Sequence, residues 1–258
     1  MNHSFFKYFL SIVLFFLANH KINSQEIIFP QGSPEWLVQQ FFKSEKFPDK
    51  DKYFAGEMKE EINFPTIGEE LKGKGEIYFY VFSSSEKQRA FAVNIKTDST
   101  SLDFYCFLSG STDGWKIEAV RRFLFPKFIY IAADSLQNLS RLSTADSSML
   151  RFLIMMTASD EHLKKYLKDN ADKFKELLLL FGENKKESVS QLIDELVLNG
   201  IFKDKNFPGC VFIQIAEMES REVGYFYRSD EAVIPRVSHE NFIYIEEVLP
   251  GWFLYRLI

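Results

Sequence analysis

Between residues 75 and 123 the chain alternates apolar runs with short polar connectors. The runs are GEIYFYVF, RAFAVNIKT, SLDFYCFL and WKIEAVRRF, and the connectors SSSEKQ, DSTS and SGSTDG are rich in Ser, Gly and Asp. Runs of this length, joined by connectors this short, predict four strands in successive antiparallel hairpins. A second set, GCVFIQIAEM, VGYFYRS, NFIYIEEV and GWFLYRLI, fills residues 209–258 and predicts a second antiparallel sheet. Two stretches look alike: TDGWKIEAVRRF at 112–123 and LPGWFLYRLI at 249–258 each place a turn dipeptide and a tryptophan before an apolar strand. Asp113–Gly114 and Pro250–Gly251 suit tight turns. Nothing else in the two sheets aligns, so the likeness reads as two hairpin endings and not as a duplicated domain.

Helical spacing governs the rest. Ser33 and Pro34 read as the cap and first position of a helix whose apolar side carries Trp36, Leu37, Val38 and Phe41, closed by Pro48. A weaker helix is predicted over 51–62 from Tyr53, Phe54, Met58 and Ile62, after which Pro65 and Gly68 break the chain. Helices return over about 134–200. LSTADSSMLRFLIMMT predicts a buried helix, and SDEHLKKYLKDNADKFKELLLLF a single helix capped by Ser159 and stopped by Gly182. SVSQLIDELVLNG predicts a third, with Gly200 as a left-handed stop. The fold class expected is therefore α+β: N-terminal helices plus a curled antiparallel sheet, a helical middle, and a C-terminal antiparallel sheet.

Composition places this pattern in a compartment. Residues 8–18 are almost wholly apolar behind Lys7, too short for a span of about 20 residues and suited to the core of a secretory signal. A signal peptide over 1–24, cut after Ser24, is expected. It leaves a helix-plus-sheet segment at 25–130, a helical segment with C-terminal sheet at 131–258, and no stable membrane span. The expected address is exported, periplasmic or extracellular. The chain carries a net charge of −5, which becomes −7 without Lys7 and Lys21, and it lacks a Lys/Arg cluster in sequence. Nucleic acid is therefore not an expected partner, nor is an anionic membrane. With 28 Phe and 11 Tyr, a substantial core is assured.

Residues 33–125 read as helix, helix, then a sheet closing in DGWKI. That order resembles the nuclear-transport-factor-like cone fold of ketosteroid isomerases and polyketide cyclases, although FPTIGEELKG shows no third helix. The resemblance implies a pocket on the concave face of the sheet, catalytic in some members and a ligand or partner site in others. The stretch from Val223 to Ile258 is similar to the tails of uncharacterised exported bacterial proteins and implies no activity.

Candidate chemistry follows from strand alternation, which sets Tyr78, Tyr80 and Phe82 on one face of their strand and Asp103, Tyr105 and Phe107 on one face of theirs. Asp103 with Tyr78 or Tyr105 is the candidate acid–base pair for proton abstraction beside a carbonyl. Tyr80, Phe107 and Trp115 are the candidate ligand-binding residues. His162 and His239 are the histidines beyond the signal, and His239 sits between Ser238 and Glu240, which does not make a triad without help from the fold. Cys106 and Cys210 read as two buried thiols, with a disulfide between them as the alternative. These spacings match no metal-ligand pattern, and phosphate-loop, calcium-loop and dinucleotide fingerprints are missing, so no metal and no cofactor is expected. The leading expectation is non-enzymatic binding of a small apolar ligand or an envelope protein partner. The alternatives are a pocket isomerase or cyclase using Asp103 with a tyrosine, and an acidic inhibitor of a basic protein.

Overall fold

The computed structural model describes residues 29–97 and 101–258. The expected signal segment, 1–24, lies outside the described residues. The architecture is α+β, and residues Gln31–Ile258 form one compact unit. The segment boundary expected at residue 130 falls inside a helix, α4 (Lys127–Gln137).

The first helix, α1 (Pro34–Phe42), begins as expected: Ser33 Oγ accepts the Trp36 N–H at 3.2 Å, and Leu37, Val38, Phe41 and Phe42 turn inward. The helix expected over 51–62 is instead a single turn, α2 (Lys50–Tyr53), followed by a 3₁₀ helix at Gly56–Glu61. The interruption has a cause across the chain. Phe54 bridges Ile117, and the Ala55 N–H donates to the Ile117 carbonyl at 2.9 Å, so this stretch is drawn into a strand-like pairing. Gly68 does not break the chain either. It lies within a third helix, α3 (Ile67–Leu71), entered through a reciprocal cap between Thr66 and Glu69. A side chain at Gly68 would stand 2.0 Å from the Lys43 carbonyl, so glycine is there to let α3 cross the end of α1.

Strands β1 (Glu76–Ser84), β2 (Gln88–Lys96), β3 (Ser101–Ser111) and β4 (Gly114–Arg121) form an antiparallel sheet in that order. Gly114 and Gly251 take positive φ in the two tryptophan turns, as those turns require. One face of this sheet, carrying Phe91, Val93, Ile95, Cys106, Leu108 and Ile117, packs on α1 to α3. The other face is lined by Ala90, Ala92 and Ala119 beside Tyr105 and Phe107. These small residues admit a larger core shared with the rest of the molecule.

That larger core is built by α4, α5 (Thr144–Thr157), α6 (Asp160–Asp169), α7 (Ala171–Gly182) and α8 (Lys186–Glu195), together with one face of a second sheet. Helix α5 is not wholly buried: Leu153, Met155 and Met156 face in, whereas Met149 is 53% and Ile154 36% exposed. The single long helix expected over 159–181 is two. Asn170 separates α6 from α7, and its side-chain amide donates back to the Tyr166 carbonyl at 2.9 Å. Gly200 is not the left-handed stop of α8. It opens strand β5 (Gly200–Phe202), and the left-handed position is Val197, with φ 53°, followed by the Leu198 N–H donating to the Ile193 carbonyl. A β-branched residue in that conformation is a strained helix ending.

The second sheet adds β6 (Cys210–Met218), β7 (Arg221–Arg228), β8 (Phe242–Leu249) and β9 (Trp252–Leu257), in the order β5-β6-β7-β9-β8. The β8–β9 hairpin forms, but β9 inserts between β7 and β8 and so becomes an interior strand. Trp252 is accordingly buried against Phe174 and Tyr227, whereas Trp115 lies on the edge strand β4. Cys106 and Cys210 are free thiols, buried in different core clusters. Among the described residues no helix is long and apolar enough to cross a membrane.

Candidate functional site

Cross-strand register brings the predicted residues together. Tyr78 stands opposite Asn94, which stands opposite Asp103, and the next row is Tyr80, Ala92 and Tyr105. All of them project from one face of the first sheet, toward α6 and the second sheet. Over this face lies a half-open cleft of about 240 Å³, walled by Tyr78 and Tyr80 and floored by Ala92 and Asn94. Asp103, Lys96, Glu161 and Lys164 stand around it. Ala92 matters because it leaves the space between the two tyrosine rings unfilled. Tyr78 is 53% and Tyr80 41% exposed. Lysines sit against both rings, Lys96 Nζ 5.5 Å from the centroid of Tyr78 and Lys164 Nζ 5.2 Å from that of Tyr80.

Beneath the cleft runs a buried polar cluster that local sequence did not reveal. Asp160 Oδ1 accepts from Arg256 Nε at 2.7 Å, and Oδ2 accepts from the Tyr105 hydroxyl at 2.7 Å. Asp103 enters through the main chain: its Oδ2 accepts the Asp160 N–H at 3.0 Å, and its Oδ1 accepts from Asn94 Nδ2 at 2.7 Å. Asp103 thus acts as an anion at the N-terminus of α6, where free N–H groups and the helix dipole favour negative charge. Burial pushes the Asp160 carboxyl up to about 6, against the opposing pull of Arg256. Burial likewise raises Tyr105, with the neighbouring Asp160 charge adding to it. Asn94 is oriented by Asp103, which can only accept, and this leaves Asn94 Oδ1 buried without a partner.

A second cluster closes one end of the cleft. The Tyr80 hydroxyl donates to Glu246 Oε2 at 2.6 Å, and the Tyr244 hydroxyl also donates to that oxygen. Lys164 Nζ lies 3.0 Å from both Glu246 and the Tyr80 hydroxyl. Burial, reinforced by the hydrogen bond to Glu246, pushes Tyr80 up to about 12. Burial alone would raise Glu246, but its three hydrogen-bond donors outweigh that and hold it low.

The remaining predicted residues go elsewhere. Phe107 lines a separate groove of about 1110 Å³ beneath residues 233–240, where the ring of His239 packs edge-on against it. Trp115 belongs to the opposite face of the sheet, under Arg89 and beside the helix-packed core. The Tyr78 hydroxyl donates to Glu76 at 2.5 Å. Ser238 Oγ accepts the Glu240 N–H, and His239 Nε2 lies 3.9 Å from both Glu57 and Glu240. Asp160 and Arg256 were invisible as a pair because 96 positions separate them, and Lys164 and Glu246 are 82 apart. The one available signal was an Arg inside an otherwise apolar strand, WFLYRLI, which demands a buried counter-charge. Among the described residues no group of three or more His, Cys, Asp and Glu side chains is placed to hold a metal.

Compared with known proteins, the chain matches no family model, no curated protein and no solved structure.

Proposed function

We propose that this chain is an exported, non-enzymatic binding protein, and that the cleft over Tyr78, Ala92 and Tyr80 receives a small ring-bearing apolar group. The observation that carries this reading is the pair of exposed tyrosines on β1, standing over a floor of alanine in a cleft of about 240 Å³. Tyrosine rings offer flat apolar area with little entropy to lose, and they are favoured where partners are held. The volume is below the roughly 300–1,000 Å³ of sites for drug-sized ligands, so it suits one ring.

The hydrogen bonding supports binding over catalysis. A general base must reach a substrate proton. Here both oxygens of Asp103 and both of Asp160 already hold donors, and the hydroxyls of Tyr78, Tyr80 and Tyr105 are directed to carboxylates. The isomerase or cyclase reading would require this network to open first.

The ring could belong to a free molecule or to a side chain of an envelope partner. Saturation-transfer NMR with a library of single-ring fragments, on wild type and on Tyr78→Ala, tests the site directly. Tyr78 is exposed, so its loss leaves the fold intact. The expected result is fragment binding that vanishes in the variant. Failure of any fragment to bind wild type would count against the cleft. Native mass spectrometry of protein purified from its host then separates the sources, a small co-purifying mass from a bound chain.

A further inference from the structure

Helix α4 and its flanks carry an apolar face left exposed among the described residues. Ile129 and Ala133 turn into the core, while Phe128 is 59% and Ile131 55% exposed, flanked by Leu124 at 37% and Leu139 at 50%. Phe128 and Ile131 share one face of the helix at i, i+3 spacing, Leu124 lies in the extended stretch before it, and Tyr130 is also exposed. Contiguous exposed apolar side chains on a soluble domain mark a contact surface.

The segment that carries this face is charged differently from the whole chain. Between residues 121 and 157 there are five basic side chains (Arg121, Arg122, Lys127, Arg141 and Arg151), two aspartates (Asp134 and Asp146) and no glutamate, within a chain of net −5. Arg122, Lys127 and Arg141 are exposed, and no carboxylate among the described residues pairs with them. The expectation that an anionic membrane is no partner rested on overall acidity and on the lack of a Lys/Arg cluster in sequence, whereas these cations are spread over some twenty positions.

We propose that α4 is an interfacial docking helix that seats the protein on an anionic lipid bilayer. Phe128 and Ile131 would enter the headgroup boundary, Tyr130 would sit at its polar edge, and Lys127, Arg122 and Arg141 would meet the lipid phosphates. Interfacial helices combine apolar area of this kind with flanking cations that are attracted to the anionic surface. A second copy of the chain fits the face less well. A two-fold contact sets the same patch against itself, so the unpaired cations of the two copies would gather at one interface.

The test is co-sedimentation of the purified chain with vesicles of phosphatidylcholine alone and of phosphatidylcholine with about 30% phosphatidylglycerol, a composition chosen to give a clearly anionic surface. Phe128→Ser/Ile131→Ser and Lys127→Glu/Arg141→Glu are compared in the same chain, so that residues 1–28 are common to all. Both pairs are exposed, and circular dichroism checks that the variants fold. The expected result is preferential binding to the anionic vesicles that weakens with salt and falls at least tenfold in each double variant. Equal binding by wild type and variants would overturn the proposal. So would absence of binding, or a concentration-dependent dimer that Phe128→Ser/Ile131→Ser abolishes without any vesicle affinity.

Discussion

Arg256 on β9 and Asp160 at the start of α6 meet as a buried pair, Nε to Oδ1 at 2.7 Å, with the two side chains only 4% and 6% exposed. Both carboxylate oxygens of Asp160 hold donors. Arg256 also donates to the Ala158 carbonyl at 2.8 Å and lies 4.7 Å over the ring of Phe123, and Tyr105 completes the carboxylate. The pair therefore ties a strand of each sheet to the helix between them. Removing one partner leaves a bare charge in the core, which costs far more than the pair contributes. Arg256→Met should destabilise the protein by about 3–5 kcal/mol in urea unfolding. Arg256→Met/Asp160→Asn should recover part of that loss. A purely additive cycle would show the two residues to be uncoupled.

The same carboxylate predicts a pH dependence. Its folded-state value, near 6, is raised above the ordinary value near 4, so the native state holds a proton over that window that the unfolded chain has released. The sign follows: Asp160 contributes most to stability below pH 4, and this contribution is lost as pH rises through 6. Two units correspond to roughly 3 kcal/mol. Asp160→Asn, which cannot ionise, should lack this slope. Plotted against pH, the stability of wild type minus that of the variant should fall between pH 4 and 6 and be flat above. A difference that rises over that interval would mean the Arg256 contact dominates burial and holds Asp160 low.

The clasp at Tyr80 is a different kind of contact. It joins the edge strand β1 to β8 across the cleft, with Lys164 21% and Glu246 26% exposed, so solvent still screens it. Tyr80→Phe removes one donor but leaves Lys164 and Glu246 paired. The expected cost is about 1–2 kcal/mol in thermal or urea unfolding, below the roughly 1.5–3 kcal/mol of a fully buried hydrogen bond to a charged group because solvent screens this one. A larger loss would mean that the hydroxyl organises Tyr244 as well.

How much of this was legible beforehand depends on whether the cause was local. Alternation placed Tyr78, Tyr80 and Asp103 correctly on shared faces, because strand period is a property of the chain itself. Ser33 and Ser159 were legible as caps for the same reason: the hydroxyl acts on an N–H three residues away. Three of the failures have the opposite cause. Phe54 left its helix to pair with Ile117, β9 inserted between β7 and β8, and Asp103 was spent on the N-terminus of α6, each through a partner remote in sequence. Arg256 inside WFLYRLI signalled a buried counter-charge, but its partner, 96 positions away, was unreadable on the same grounds. The site's surface was visible in the sequence, but not the buried network that fixes it.

Gly68 gives a steric test of the third helix. An added Cβ would stand 2.0 Å from the Lys43 carbonyl and 2.3–2.4 Å from the backbone of Phe42, contacts that rigid main chain cannot relieve. Helix propensity alone would favour alanine over glycine by about 1 kcal/mol. Gly68→Ala should nevertheless lower stability by about 1–3 kcal/mol, because overpacking outweighs propensity here. A stabilised variant would show that α3 does not cross α1 at this distance.

Asp103 provides the sharpest separation of the binding and enzymatic readings, because each assigns it a different task. In the structure it anchors the first turn of α6 by accepting the Asp160 N–H at 3.0 Å and holds Asn94 at 2.7 Å. A group of that kind acts like a helix cap, and its removal costs about 0.5–2 kcal/mol. Asp103→Ala should therefore lower stability by that amount and speed hydrogen exchange at the amides of residues 160–163, where α6 begins. Fragment binding at Tyr78 should weaken only modestly, since the tyrosine walls remain. Were Asp103 a catalytic base, the variant would leave those amides protected while abolishing turnover of a carbonyl substrate. Faster exchange at the start of α6 follows from the geometry, and retained fragment binding follows from the proposed binding reading.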